Sequence, residues 1–120
     1  MIAAAWSPIN DDLAVEQELN GRRALWIVPS GGGAPQKVVE YQSRVLSGWA
    51  WTTDGKGLLY SAAAPDRYQI FVVPASGGAP HQLTRDSANV MHPSMSPDGT
   101  RIAATRLVHR KEIWRMSLPR

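Results

Sequence analysis

The chain has 120 residues, 43% of them hydrophobic, a formal net charge of +3 and no cysteine. That is one modest domain's length, and the apolar share excludes a disordered tail. The lack of thiols excludes a disulfide scaffold, Fe–S ligation, thiolate zinc and a cysteine nucleophile. Gly and Pro together supply 19 residues, a share above the roughly 12% of average proteins. Many turns and short strands are therefore expected rather than a few long helices. No apolar run reaches the ~18 residues of a membrane-spanning helix. The start, Met1 to Pro8, has no basic region and too short an apolar run for a signal peptide. Missing cysteine does not fix the compartment, so cytoplasm and periplasm both stay open.

In chain order, a first strand ends at Trp6, followed by Ser7-Pro8. Residues 11–19 then present two conflicting signals. Asp11-Asp12-Leu13-Ala14-Val15-Glu16-Gln17-Glu18-Leu19 has good helix formers, with Asn10 as N-cap and acids near the start. Register with the later units makes the same segment a strand, and packing can override propensity. Ala24–Val28 is the next strand, ended by Pro29, and Ser30–Pro35 is a turn leading into Gln36–Val39.

The next unit starts with Trp49 and Trp51, which share one side of a strand at spacing two. They are a candidate stacking platform, although packing between sheets is the commoner use. Asp54-Gly55 follows as a hairpin turn, since Gly accepts a positive φ and Asp tolerates it while bonding its own backbone. Leu58–Ala62 and Gln69–Val73 are strands, Pro74 stops the second of them, and Gly77-Gly78 carries another turn. His81–Thr84 is a short fourth strand. The last unit repeats the order, with Met95, the turn Asp98-Gly99, and strands at Ile102–Arg106 and Trp114–Leu118.

This order is an internal repeat. Residues 69–80 echo 24–35 at an offset of 45, and the turn block 95–102 echoes 51–58 at an offset of 44. Trp6-Ser7-Pro8 falls in the same register. Trp26, Phe71 and Trp114 share one repeat position, which packing explains better than a unique site does. A period of ~40–45 residues with four strands per unit is the signature of a β-propeller blade. The fold class is therefore all-β, with about 2.7 blades of four antiparallel strands. Blade one covers about 1–44, blade two about 45–89, and blade three, lacking its outer strand, about 90–120.

Met95-Ser96-Pro97-Asp98-Gly99-Thr100-Arg101-Ile102-Ala103 and Glu112-Ile113-Trp114-Arg115-Met116 resemble the repeat of TolB-like, WD-like bacterial propellers. Ile70–Val73 and Leu83-Thr84-Arg85 match its later parts. Met95 replaces the usual aromatic, Thr52-Thr53 replaces Ser-Pro, and Ile9-Asn10 replaces Asp-Gly. The resemblance covers nearly the whole chain and bears on fold far more than on function. It implies a module for protein–protein interaction or ligand sensing in a larger bacterial regulator or signalling protein. The ending at Glu112–Leu118 is similar to propellers fused behind winged-helix regulators or protein kinases. The same repeat type precedes the hydrolase domain of prolyl-oligopeptidase-like enzymes, which makes a substrate-gating propeller the alternative.

Propellers close with ~4–8 blades. The chain is therefore expected to be the C-terminal part of a longer ring, or to close by self-association, or to form an open stack with exposed edges. The expected partner is a protein or the remaining blades.

Signals of catalysis, metals and cofactors are absent. There is no Gly-x-Ser-x-Gly elbow. Ser30-Gly31-Gly32-Gly33 lacks the Gly-Lys-Ser/Thr ending of a phosphate loop. His81, His92 and His109 have no metal-ligand spacing, and His81 and His92 are expected in or beside turns. Asp54, Gly55, Gly77, Gly78, Asp98 and Gly99 are expected to be structural turn residues. Residues 101–120 hold six basic residues against Glu112. With Trp49, the residues Arg106, His109, Arg110 and Lys111 form the candidate interaction surface. Nucleic-acid binding there is a further alternative, but the charges are spread along strands rather than clustered.

Overall fold

The computed structural model describes residues 2–43, 48–107 and 111–117. Among the described residues every regular element is a strand. The first antiparallel sheet runs β1 (Ile2–Trp6), β2 (Leu13–Leu19), β3 (Arg22–Val28) and β4 (Gln36–Gln42), in chain order across the sheet. The second runs β5 (Trp49–Trp51), β6 (Gly57–Ala63), β7 (Tyr68–Pro74) and β8 (His81–Gln82). The third holds β9 (Asn89–Met95), β10 (Arg101–Leu107) and β11 (Lys111–Ser117). These are β-propeller blades: all-β, antiparallel and stacked face to face.

Segment 11–19 forms strand over Leu13–Leu19 rather than a helix. β2 pairs with β1 on one side and with β3 on the other, Ala14 facing Ala5 and Ile27. Two ladders and a buried Ala14 outweigh its helical propensity. The β2–β3 hairpin turns through Asn20 and Gly21, at φ 52° and 83°. Asn-Gly is the favoured two-residue hairpin sequence, a signal that the helical composition of 11–19 masks.

β8 is shorter than the expected His81–Thr84. Leu83 N still donates to Ile70 O at 2.7 Å. At the next step Thr84 Oγ1, not a backbone carbonyl, accepts from Ile70 N at 2.9 Å, and the ladder ends. His92 lies inside β9 rather than beside a turn. It has φ 56°, and the β9–β10 register slips beside it. Pro93 follows and cannot donate to a ladder, so a bulge is where it is tolerated.

Among the described residues there are two cores, one in each seam between sheets. β6 is buried on both faces because it is sandwiched. Leu58, Tyr60 and Ala62 turn toward the first blade and join Ala14, Leu25, Ile27, Val38 and Tyr41. Leu59 turns the other way and joins Ile70, Val90, Ile102 and Ala104. The period-2 alternation of one strand thus feeds both seams. The face of the first blade turned away from the second has no such cover. Trp6 is 68% exposed there.

Candidate functional site

Antiparallel order puts the β5–β6 turn, the β7–β8 loop and the β9–β10 turn at one end of the blades. The two Asp-Gly turns share one design. Asp54 Oδ1 accepts from Thr52 Oγ1 at 2.6 Å and from Lys56 N at 2.9 Å. Asp98 Oδ1 accepts from Ser96 Oγ at 2.7 Å, Thr100 N at 3.0 Å and Thr100 Oγ1 at 2.7 Å. Thr52 stands where Ser96 stands, its hydroxyl accepting from Gly57 N as that of Ser96 accepts from Arg101 N, each at 3.0 Å. The Thr-for-Ser departure therefore leaves the turn intact. Gly55 and Gly99 hold φ 70° and 75°.

These bonds act on the charges. The hydroxyls of Ser96 and Thr100 and the Thr100 amide hold the Asp98 carboxyl down to about 2. The Thr52 hydroxyl and the Lys56 amide lower that of Asp54. Both acids are committed carboxylates, ill suited to proton transfer near neutrality. Gly77 and Gly78 sit in the β7–β8 loop at φ 91° and 127°.

A cleft of about 650 Å³ opens at this end, between the second and third blades. Its walls include Leu59, Val72, Leu83 and Met95, and Asp54, Lys56, His81 and Asp98 also border it. Met95 is held by the neighbouring turn, since Thr53 N and Oγ1 donate to its Sδ at 3.3 and 3.4 Å. A second cleft, on the outward face of the first blade, is lined by Trp6, Asp11, Leu13, Val28, Pro29 and Ser30.

The sequence does not announce two polar clusters, of which the first joins blades. Gln69 is buried, and its Nε2 donates to the carbonyls of Asp86 and Ala88 at 3.0 and 3.2 Å. Its Oε1 accepts from Thr84 Oγ1 at 2.6 Å and from Asp86 N at 3.1 Å. Asp86 in turn accepts from Arg106 Nε at 2.9 Å. This chain of bonds pins segment 83–88, which links blade two to blade three.

The other cluster lies in the first seam. Arg23 Nη1 and Nη2 meet Glu16 and Glu18 at 3.4 and 3.0 Å. Tyr41 OH donates to Glu16 Oε2 at 3.3 Å. Arg23 and Glu16 are 2% and 5% exposed, and Arg23 Nε has no hydrogen-bond partner among the described residues. A cross-strand Glu and Arg in alternating strands is a signal, but it also fits an exposed pair. Its burial is a product of tertiary packing.

Of the candidate surface residues, Trp49 and Arg106 lie at different seams. Trp49 is half-buried and packs against the first seam. Trp51 packs beside it, and its Nε1 donates to Ala5 O at 3.0 Å. Arg106 is turned onto Asp86 in the second seam. His109 and Arg110 lie outside the described residues, and Lys111 opens β11 opposite Leu107. Among the described residues no three His, Asp or Glu side chains gather where a metal could be held. No helix among them is long and apolar enough to cross a membrane.

No protein-family model matches the sequence, and no curated protein does either. Solved structures do match. A TolB from Agrobacterium tumefaciens is 26% identical with TM-score 0.78, over 95% of this chain and 41% of that one. TolB from Acinetobacter baumannii is 26% identical with TM-score 0.61, over 97% of this chain and 27% of that one. An oligogalacturonate lyase in complex with manganese is 19% identical with TM-score 0.70, covering 98% and 35%, a likeness of fold alone. The chain spans less than half the length of each. Over nearly all of its length the chain resembles the TolB β-propellers.

Proposed function

We propose that this stretch of TolB-like repeats is a non-catalytic module for protein–protein contact within a larger bacterial regulator or signalling protein. The observation that carries the reading is the chemistry of the turn-bearing end. An apolar cleft opens there, and the acids bordering it, Asp54 and Asp98, are consumed by their own turns. Such a surface binds apolar side chains, and neither of these acids is free for acid–base work.

In this reading the three blade units are 1–44, 45–89 and 90–120. The outward face of the first blade, with Trp6 exposed, is covered by a further blade of the ring or by a second copy.

A photo-crosslinking side chain placed at Thr100, in the turn-bearing end, tests the reading in a bacterial host. Discrete protein adducts from Thr100, and none from the same group at Arg67 in the β6–β7 loop at the opposite end, are expected. Equal labelling from both positions, or turnover of a peptide or oligosaccharide by the purified chain, counts against it.

A further inference from the structure

The repeat lets the two seams be compared position by position. Ala14, Ile27 and Val38 of blade one correspond to Leu59, Val72 and Leu83 of blade two at an offset of 45. Trp51, which closes the first seam, corresponds to Met95 in the second. In the first seam the three aliphatic residues are buried, and Trp51 packs against their cluster. In the second seam Leu59 is buried, but Val72, Leu83 and Met95 are only half-buried and line the open cleft.

What lies over the wall differs at two repeat positions. Met95 brings a flexible thioether where Trp51 brings an indole. Asp54 stands where Ile9 stands, and Ile9 reaches over Gly55 of the next blade while Asp54 folds back into its own turn. An indole therefore covers this wall in one seam, and the same wall is left uncovered in the next.

We propose that the cleft between the second and third blades receives an aromatic side chain from a partner polypeptide, seated against Val72, Leu83 and Met95 as Trp51 is seated in the first seam. Methionine suits this use, because its thioether adapts to shape and makes favourable contacts with aromatic rings. Interface hot spots are enriched in aromatic side chains seated in well-packed, desolvated pockets. The inference rests on the protein-contact reading above and specifies what that contact inserts.

The test uses the 120-residue chain with N-acetyl-L-tryptophanamide as probe and methyl NMR as readout. Saturable shifts are expected at the methyls of Met95, Val72 and Leu83, with the leucine analogue binding several-fold more weakly. Met95→Trp supplies the indole from within. It should remove the shifts at Val72 and Leu83 and weaken probe binding by more than about tenfold. Met95→Phe serves the same purpose with a smaller ring if the Trp variant fails to fold. No shifts at these methyls, or undiminished shifts in the variants, overturns the inference.

The Thr100 crosslink separates this inference from its premise. Adducts lost in Met95→Trp support both. Adducts that persist in Met95→Trp leave the protein-contact reading standing and remove the cleft from it. No adducts and no probe binding defeat both. A homodimer abolished by either Met95→Trp or Trp6→Ala would assign the cleft to Trp6 of a second copy and overturn the heterologous partner.

Discussion

Tyr41 on β4 stacks on Tyr60 on β6 across the first seam, with ring centroids 4.5 Å apart and planes at 28°. Phe71 continues the stack from β7, 5.5 Å from Tyr60. The blades are therefore joined by aromatic area contributed from both sides. Tyr60 is 2% exposed, so Tyr60→Ala should cost about 3–5 kcal/mol, as for other buried aromatics. Urea denaturation followed by tryptophan fluorescence measures it, and a loss below ~1 kcal/mol would mean that the seam repacks.

The same stack makes the protein sensitive to alkali. Burial pushes the Tyr60 hydroxyl up to about 12, and burial with the Glu16 charge raises that of Tyr41 further. Both are raised above the ~10 of an unfolded tyrosine. Their contribution is then fully present below pH ~10 and is lost as pH rises through the folded values. The urea midpoint should fall between pH 10 and 12, with the tyrosinate absorbance of Tyr41 and Tyr60 rising only as the chain unfolds. Tyr60→Phe should flatten the fall.

Arg23 and Glu16 form a buried ion pair with Tyr41 as third member. Removing one charge strands the other, at a cost of about 3–5 kcal/mol. Arg23→Met should show that loss. Arg23→Met combined with Glu16→Leu should recover much of it, since a buried pair replaced by apolar groups is often neutral. A double variant as unstable as the sum of the singles would contradict this reading.

At the acid side the turns should respond first. The Asp98 carboxyl is held at about 2 by Ser96 and Thr100, below the ~3.9 of an unfolded aspartate. Its contribution is present above pH ~4 and is lost as pH falls toward 2. Asp54 is shifted in the same direction. Stability should therefore drop from pH 4 to pH 2, and Asp98→Asn should make the wild-type slope shallower. An unchanged slope in the variant would show that other carboxylates dominate.

Gly55 is constrained twice. Its φ is 70°, and a Cβ there would lie 2.7 Å from Ile9 Cδ1 of the preceding blade. Gly55→Ala should be destabilising by roughly 1–2 kcal/mol from backbone conformation alone, and by more with the clash. In an Ile9→Ala background the added cost should shrink toward the backbone value. Equal costs in both backgrounds would place Ile9 away from Gly55 in solution.

Much of the architecture is legible because each blade repeats the same local signals. Asp98-Gly99 and Asp54-Gly55 mark turns whose bonds lie within five residues. Segment 11–19 is harder, because its composition and its register disagree and only pairing with β1 and β3 decides between them. Arg106 looks like part of a basic surface because its partner Asp86 is twenty residues away, in the segment between β8 and β9. The shortened β8 depends on a side-chain hydroxyl taking a backbone place, which no periodicity encodes.

The sequence by itself determined the all-β repeat, the Asp-Gly and Gly-Gly turns and the likeness to TolB-type blades. These follow from period-2 strands and Asp-Gly turns, which act over a few residues and recur every 44 or 45. Tertiary structure alone decided which faces of β6 feed which seam, that Arg23 and Glu16 are buried, and that one seam is closed by Trp51 while the next stays open at Met95. Those outcomes depend on which side chain stands opposite across a seam, and a linear pattern of residue types does not contain that pairing.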